Sequence, residues 1–125
     1  PKVAEAVKEL IIKLVNDPNL KIEAVGGVPG DPNAFGTDPL KVKEAILKVY
    51  DGDGVVVIGD IGSAIIGSKV AIKMLPPDVR EKVVIADAPL IEGAFLAAFE
   101  ASAGSDLEQV KKAAEEAYKM NKLKR

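Results

Sequence analysis

The chain has 125 residues and a mass of 13.1 kDa, with 48% hydrophobic and 29% charged residues, enough for one domain (1–125) with a real core and too apolar for disorder. A formal charge of −2 and a pI near 5.2 exclude nucleic acid and an anionic membrane surface as main partners. With no cysteine and no histidine there is no disulfide framework, no thiolate chemistry and no cysteine-type zinc site, and a reducing cytoplasm is allowed.

The apolar runs fall short of the roughly 20 residues of a spanning helix and no charged-then-apolar leader precedes them, so a soluble, unprocessed chain is expected. Val3, Val7, Leu10, Ile11 and Leu14 recur at helical spacing opposite Lys2, Glu5, Lys8, Glu9 and Lys13, which predicts an amphipathic helix over the first sixteen or so residues. Asn16-Asp17-Pro18-Asn19 ends it. Leu20 to Val25 reads as a short strand, and Gly26 to Asn33 as a long glycine- and proline-rich loop. Asp38-Pro39 has the form of an N-cap followed by proline, with Val42, Ile46 and Val49 as the inner stripe of a second helix.

Asp51-Gly52-Asp53-Gly54 turns the chain into a central strand, the β-branched run Val55 to Ile58, which stops at Gly59-Asp60 and continues from Gly62 as a helix to about Leu75. That helix is apolar nearly all round and is expected to be largely buried. Pro76-Pro77 stops it. Val83 to Ala86 forms the next strand, ending at Asp87, and Ala88-Pro89 begins a helix carrying Leu90, Ile91, Phe95, Leu96 and Phe99. Two such apolar helices in one small domain point to a homodimer. Gly104 closes the helix, Ser105-Asp106-Leu107-Glu108 reads as a capping box, and a last amphipathic helix runs through about Asn121 before a solvated basic tail, Lys122 to Arg125. The order predicts an α/β fold with a parallel sheet and helices on both faces.

The junction at Asp60 is the place to look for chemistry. At the carboxyl edge of a parallel sheet, the first N–H groups of a new helix point outward and favour an anion, while an acid beside them orients a partner. The plainer reading of Asp60 is a helix cap. Other motifs fail on inspection. Gly62 to Lys69 nearly spells a P-loop but has serine and lysine in the wrong order; Asp51 to Gly54 lacks the later ligands of a calcium loop; glycines 26, 27 and 30 miss the dinucleotide spacing. Ser63 and Ser68 have no candidate base for nucleophilic catalysis, and a magnesium site on Asp60 and Asp87 has no motif behind it.

Three blocks, Gly36-Thr37-Asp38, Asp60-Ile61-Gly62-Ser63-Ala64 and Ala88-Pro89-Leu90-Ile91-Glu92-Gly93-Ala94, with the opening helix from Pro1 to Leu10, resemble the mannose-type IIA fold of the bacterial sugar phosphotransferase system. Within it the similarity is to phosphocarrier subunits of phosphoenolpyruvate-dependent dihydroxyacetone kinases. The resemblance implies a doubly wound domain and a phosphohistidine relay, from a general histidine phosphocarrier protein to ADP held by the kinase's nucleotide-binding subunit, with no cofactor bound on this chain. It assigns Asp60 to the acid that orients the histidine ring and Gly62 and Ser63 to the phosphoryl oxygens, with Thr37 lining the crevice. It gives Pro89 and Glu92 a part in shaping the buried helix and dimer contact. It also implies a first central strand ending in Ser-His-Ser immediately before Pro1, and the chain has neither that strand nor any histidine. The expectation is therefore a truncated, incompletely represented or redesigned relative, inactive as given. The alternatives are a non-catalytic binding or regulatory module and an engineered scaffold.

Overall fold

The computed structural model describes residues 2–26, 37–60 and 62–119, so most of the expected 26–33 loop and all of the basic tail lie outside the described residues. The chain runs through α1 (Lys2–Val15), α2 (Pro39–Val49), β1 (Val55–Val57), α3 (Gly62–Lys73), α4 (Pro77–Arg80), β2 (Val83–Ile85), α5 (Leu90–Ser102) and α6 (Leu107–Glu115), and closes in a 3-10 turn, Glu116–Lys119. β1 and β2 are parallel, with Val55 opposite Val83, Val56 opposite Val84 and Val57 opposite Ile85.

Alternation along β1 sends its side chains into two helical layers. Val55 joins Val42 and Ile46 of α2, Ala71 of α3, Leu75, Val79 and Val83 in one cluster. Val56 and Ile58 pack against the other, formed by Ala86, Ala88, Ala97 of α5 and Val110 and Ala114 of α6. A third cluster, Val7 and Ile11 of α1 with Ala98 of α5, extends the second layer. The α/β class with helices on both faces of a parallel sheet is thus as the hydrophobic pattern dictates. Ile11 and Leu75 are the largest fully buried side chains, each contributing about 2–3 kcal/mol by burial.

The breaks between elements follow local chemistry. Asp38 caps α2, its Oδ1 accepting from the Leu40 N–H at 3.0 Å with Pro39 at the first helical position. Gly104, at φ +86°, ends α5 in a left-handed turn in which Ser105 N–H reaches the Glu100 carbonyl and Gly104 N–H the Ala101 carbonyl. The capping box sits one residue later than its sequence suggests: Asp106 accepts from the Gln109 N–H and Gln109 accepts from the Asp106 N–H, both at 2.9 Å. The Ser105 hydroxyl is instead spent on Glu100 Oε2. Two further expectations are corrected. After Pro76 the chain makes the single turn α4. And α3 is not largely buried: it turns Gly67, Ser68 and Ala71 inward and leaves Ile66 and Val70 at 66% and 43% exposure, with Met74, just past its end, at 36%.

The strand expected over Leu20 to Val25 does not form. The stretch is unassigned from residue 21 to 26, although Leu20 and Ile22 pack into the α1–α5 layer and Val25 into the α2–α3 layer, as an extended chain would place them. Its Glu23 is tied to Lys48 of α2 at 3.0 Å and to Lys8 of α1 at 3.3 Å, and the Lys48 bond holds the carboxyl below its ordinary value. A strand needs a ladder partner, and the segment has none among the described residues.

Where α5 crosses the end of β2 there is no room to spare. A Cβ on Gly93 would stand 2.7 Å from Ala88 Cβ. In an open helix Gly→Ala gains up to about 1 kcal/mol, but here overpacking reverses the sign. Gly93→Ala is expected to destabilise by about 1–3 kcal/mol in urea denaturation; a stabilised variant would show that α5 can slide away from Ala88.

Candidate functional site

The run Val55 to Ile58 is β-branched and half-buried to buried, so it holds an extended form until Gly59 lets the chain turn. That turn is tight: a Cβ on Gly59 would meet Ile65 Cδ1 at 3.0 Å and Ala64 Cβ at 3.1 Å. The chain emerges with Asp60 exposed, and α3 starts at Gly62. The cap position directly before α3 is residue 61, outside the described residues. Asp60 is therefore one residue early for a helix cap, and its carboxylate accepts no hydrogen bond from a described residue.

Gly62 is the first residue of α3, so its N–H belongs to the group that has no carbonyl partner within the helix. It is exposed, and a Cβ built on it would touch nothing within 4 Å, which leaves space for an anion over the positive end of the helix. Ser63 follows in the same turn. Thr37 approaches from the α2 side. Its Cγ2 lies 3.1 Å from where a Gly67 Cβ would be, so the glycine is what lets residue 37 sit against α3.

Asp60 and Thr37 share the lining of a large cavity, about 1140 Å³, with Gly59, Ala64 and Ser68. Asp60 and Thr37 thus line one cavity, and Gly62 is not among its lining residues. Ser68 is a lining residue that the sequence offered only as a nucleophile. It is 3% exposed, and its hydroxyl donates to the Ala64 carbonyl at 2.7 Å, a helix back-bond that keeps its proton away from the crevice.

Asp87, at the end of β2, stands apart from this crevice. Its N–H donates to Glu115 Oε2, and its Oδ1 accepts from the Tyr118 hydroxyl, both at 3.1 Å, a bond that raises the phenol above its ordinary value. Among the described residues no three acids are grouped to hold a metal ion, and no helix is long and apolar enough to cross a membrane.

Against known proteins, the family described as PTS system fructose IIA component matches residues 2–111. The PEP-dependent dihydroxyacetone kinase, phosphoryl donor subunit DhaM, of Escherichia coli (strain K12) is 37% identical over 109 residues, 87% of this chain. The chain spans only 23% of that relative's length. The PEP-dependent dihydroxyacetone kinase 2, phosphoryl donor subunit DhaM, of Listeria innocua serovar 6a is 37% identical over 97 residues, covering 78% of this chain and 75% of the relative. Among solved structures, that of the unknown function protein EF1359 superposes with a TM-score of 0.82 at 30% identity, over 99% of this chain and 91% of its own.

Proposed function

The chain belongs to the PTS fructose IIA component family, and from that premise we propose that it serves a phosphoryl relay in a dihydroxyacetone kinase system. A general histidine phosphocarrier protein is the donor, and ADP on the kinase's nucleotide-binding subunit is the acceptor. Nucleotide stays on that partner, so this chain needs no cofactor of its own, and the relay runs in the cytoplasm.

One observation carries the reading: Asp60, whose carboxylate accepts no hydrogen bond from a described residue, lies between the carboxyl end of β1 and the start of α3 and lines a cavity that Thr37 also lines. Asp60 would accept a hydrogen bond from one imidazole N–H and so leave the other nitrogen as nucleophile. Gly62 and Ser63 would donate to the phosphoryl oxygens, each charge-assisted bond being worth about 1.5–3 kcal/mol. In the first transfer the P–N bond to the donor's imidazole breaks as a P–N bond to the relay imidazole forms; in the second that P–N bond breaks as a P–O bond to the terminal phosphate of ADP forms. The imidazole itself is not among these 125 residues. The second reading is a module that docks the same partners without chemistry. The exposed residues Ile66 and Val70 of α3, with Met74 just past its end, support a homodimer.

Incubation with phosphoenolpyruvate and the two general phosphotransferase components is expected to leave the 125-residue chain unlabelled. A chain extended by a strand ending in Ser-His-Ser before Pro1 is expected to take up one phosphoryl group per chain, acid-labile as phosphohistidine is. Failure of the extended chain to label overturns the relay; labelling of the chain as it stands overturns the assignment of the acceptor.

A further inference from the structure

The turn that delivers the chain to β1 is made of the same dipeptide twice, Asp51-Gly52 and Asp53-Gly54. Such a pair carries an electrophile and a nucleophile that can close a succinimide ring: the side-chain carboxyl carbon and the glycine's main-chain nitrogen. With no Cβ on the glycine to obstruct the approach, closure needs only a backbone free to turn the two together. As sequence the two pairs are equal, so any difference in their reactivity is set by the fold.

The fold treats them differently. Gly52, at φ +107°, stands in open space: a Cβ built on it would meet nothing within 4 Å, and its N–H donates to no described residue. Asp51 is exposed, and its side chain is folded forward over the 51–52 peptide, where its Oδ1 accepts from the Asp53 N–H at 3.5 Å. Among the described residues the other group on that carboxylate is Lys21, its Nζ 3.7 Å from Oδ2, a salt bridge too long and too exposed to hold it in place. Lys82 Nζ donates to the Gly52 carbonyl at 2.9 Å, which pins the following peptide and leaves the 51–52 peptide free. Gly54 is boxed in. A Cβ there would stand 2.9 Å from Leu107 Cδ1 and 3.0 Å from the Lys82 carbonyl oxygen, and the next N–H, that of Val55, donates to the same carbonyl at 2.9 Å. The Asp53 carboxylate accepts nothing from a described residue, so what separates the two pairs is the freedom of the glycine nitrogen and not that of the carboxyl.

We propose that Asp51 is a site of spontaneous isoaspartate formation in the folded chain, and that Asp53 is protected from the same reaction. The Gly52 nitrogen attacks the Asp51 side-chain carboxyl carbon; a C–N bond forms, and the carboxyl OH and the amide proton leave as one molecule of water. Water then opens the ring at either carbonyl. Breaking the bond from nitrogen to the side-chain carbonyl restores aspartate. Breaking the bond from nitrogen to the main-chain carbonyl leaves the chain running through the side chain, with the old main-chain carbonyl as a free carboxylate. No redox partner is needed, and the product has the mass of the parent with one more carbon in its backbone. That carbon enters upstream of the anchors at Gly54 and Val55. The proposal uses no part of the phosphoryl relay, so the two stand or fall separately.

The test ages the 125-residue chain at neutral pH in water enriched in heavy oxygen, which enters the residue at each ring opening. Digestion and mass spectrometry then locate the heavy oxygen, and electron-transfer fragmentation distinguishes isoaspartate from aspartate. In the native chain both signals are expected to rise at Asp51 at least about tenfold faster than at Asp53. A parallel sample unfolded in urea is expected to show the two residues reacting within about twofold of each other, because the box around Gly54 is gone. The proposal is overturned if the native chain gains no isoaspartate at Asp51, or gains it as fast at Asp53. It is overturned too if Asp51 keeps its lead in urea, which would place the difference in the neighbouring sequence and not in the fold.

Discussion

Leu75→Ala lowers the free energy of unfolding by about 3–5 kcal/mol, whereas Ile11→Ala lowers it by only about 2 kcal/mol, although the two side chains are 2% and 1% exposed. The chemistry removed is similar; the difference is the cavity left behind. Leu75 sits among Val42, Ile46, Ala71, Val79 and Val83, in the cluster that pins α2, α3 and α4 to the sheet. Truncating it opens a new void in close-packed surroundings, and the anchored chain cannot collapse onto it. Its carbonyl accepts from Arg80 Nη2 at 3.0 Å, and Pro76 follows directly. Ile11 already borders the large cavity that Asp60 and Thr37 line, so its truncation enlarges an existing space and forfeits mainly the transfer free energy. Urea titration of both variants measures the difference. Equal losses would mean that this large cavity is closed in solution, with Ile11 packed on all sides.

The same contrast explains how far the amino-acid sequence could be read. Element ends were legible wherever they are set by neighbours in the chain: Asp38-Pro39 starts α2, Pro76 stops the helical run, and Gly104 supplies the left-handed residue after α5. The capping box slipped by one residue because Ser105 and Asp106 are both competent caps, and a contact to Glu100 decides between them. What depends on a distant partner was not legible. Leu20 to Val25 has a strand's composition and no described residue beside it to pair with. α3 is apolar on every side, so its pattern does not reveal which side is covered. The small residues Gly67 and Ala71 face inward because α2 and the Thr37 segment come close, and Ile66, Val70 and Met74 are left outside.

The position of the candidate site was legible for a local reason: a β-branched run that ends in Gly59-Asp60 and becomes a helix at Gly62 can only leave its acid and its first amides at the strand's carboxyl edge. That Asp60 and Thr37 line one cavity is a tertiary fact, since Thr37 is placed by the packing of α2's lead-in against Gly67. The size of the crevice is also tertiary. It is set by the separation of β1 from a segment more than thirty residues earlier, which no period or motif encodes.

In a chain extended by the strand ending in Ser-His-Ser, Asp60→Asn is expected to slow phosphohistidine formation by about a hundredfold or more while leaving stability within about 0.5 kcal/mol. Asp60 is exposed and accepts no hydrogen bond from a described residue, so the fold does not depend on its charge. An amide in its place presents either a donor or an acceptor to the ring, stabilises no developing imidazolium and fixes the tautomer poorly. The acidic limb of the pH–rate profile should move with it: without the carboxylate, the ring loses its proton at lower pH, and the residual activity persists further into acid. Gly62→Pro separates the anion's contribution. Proline is tolerated at the first helical position, and a Cβ on Gly62 meets nothing within 4 Å, so α3 is expected to survive while one donor is lost. That variant is expected to lose about tenfold to a hundredfold in rate with an unshifted pH profile, the equivalent of one charge-assisted bond. An Asp60→Asn chain that labels as fast as its parent, with the same pH dependence, removes this residue from the relay.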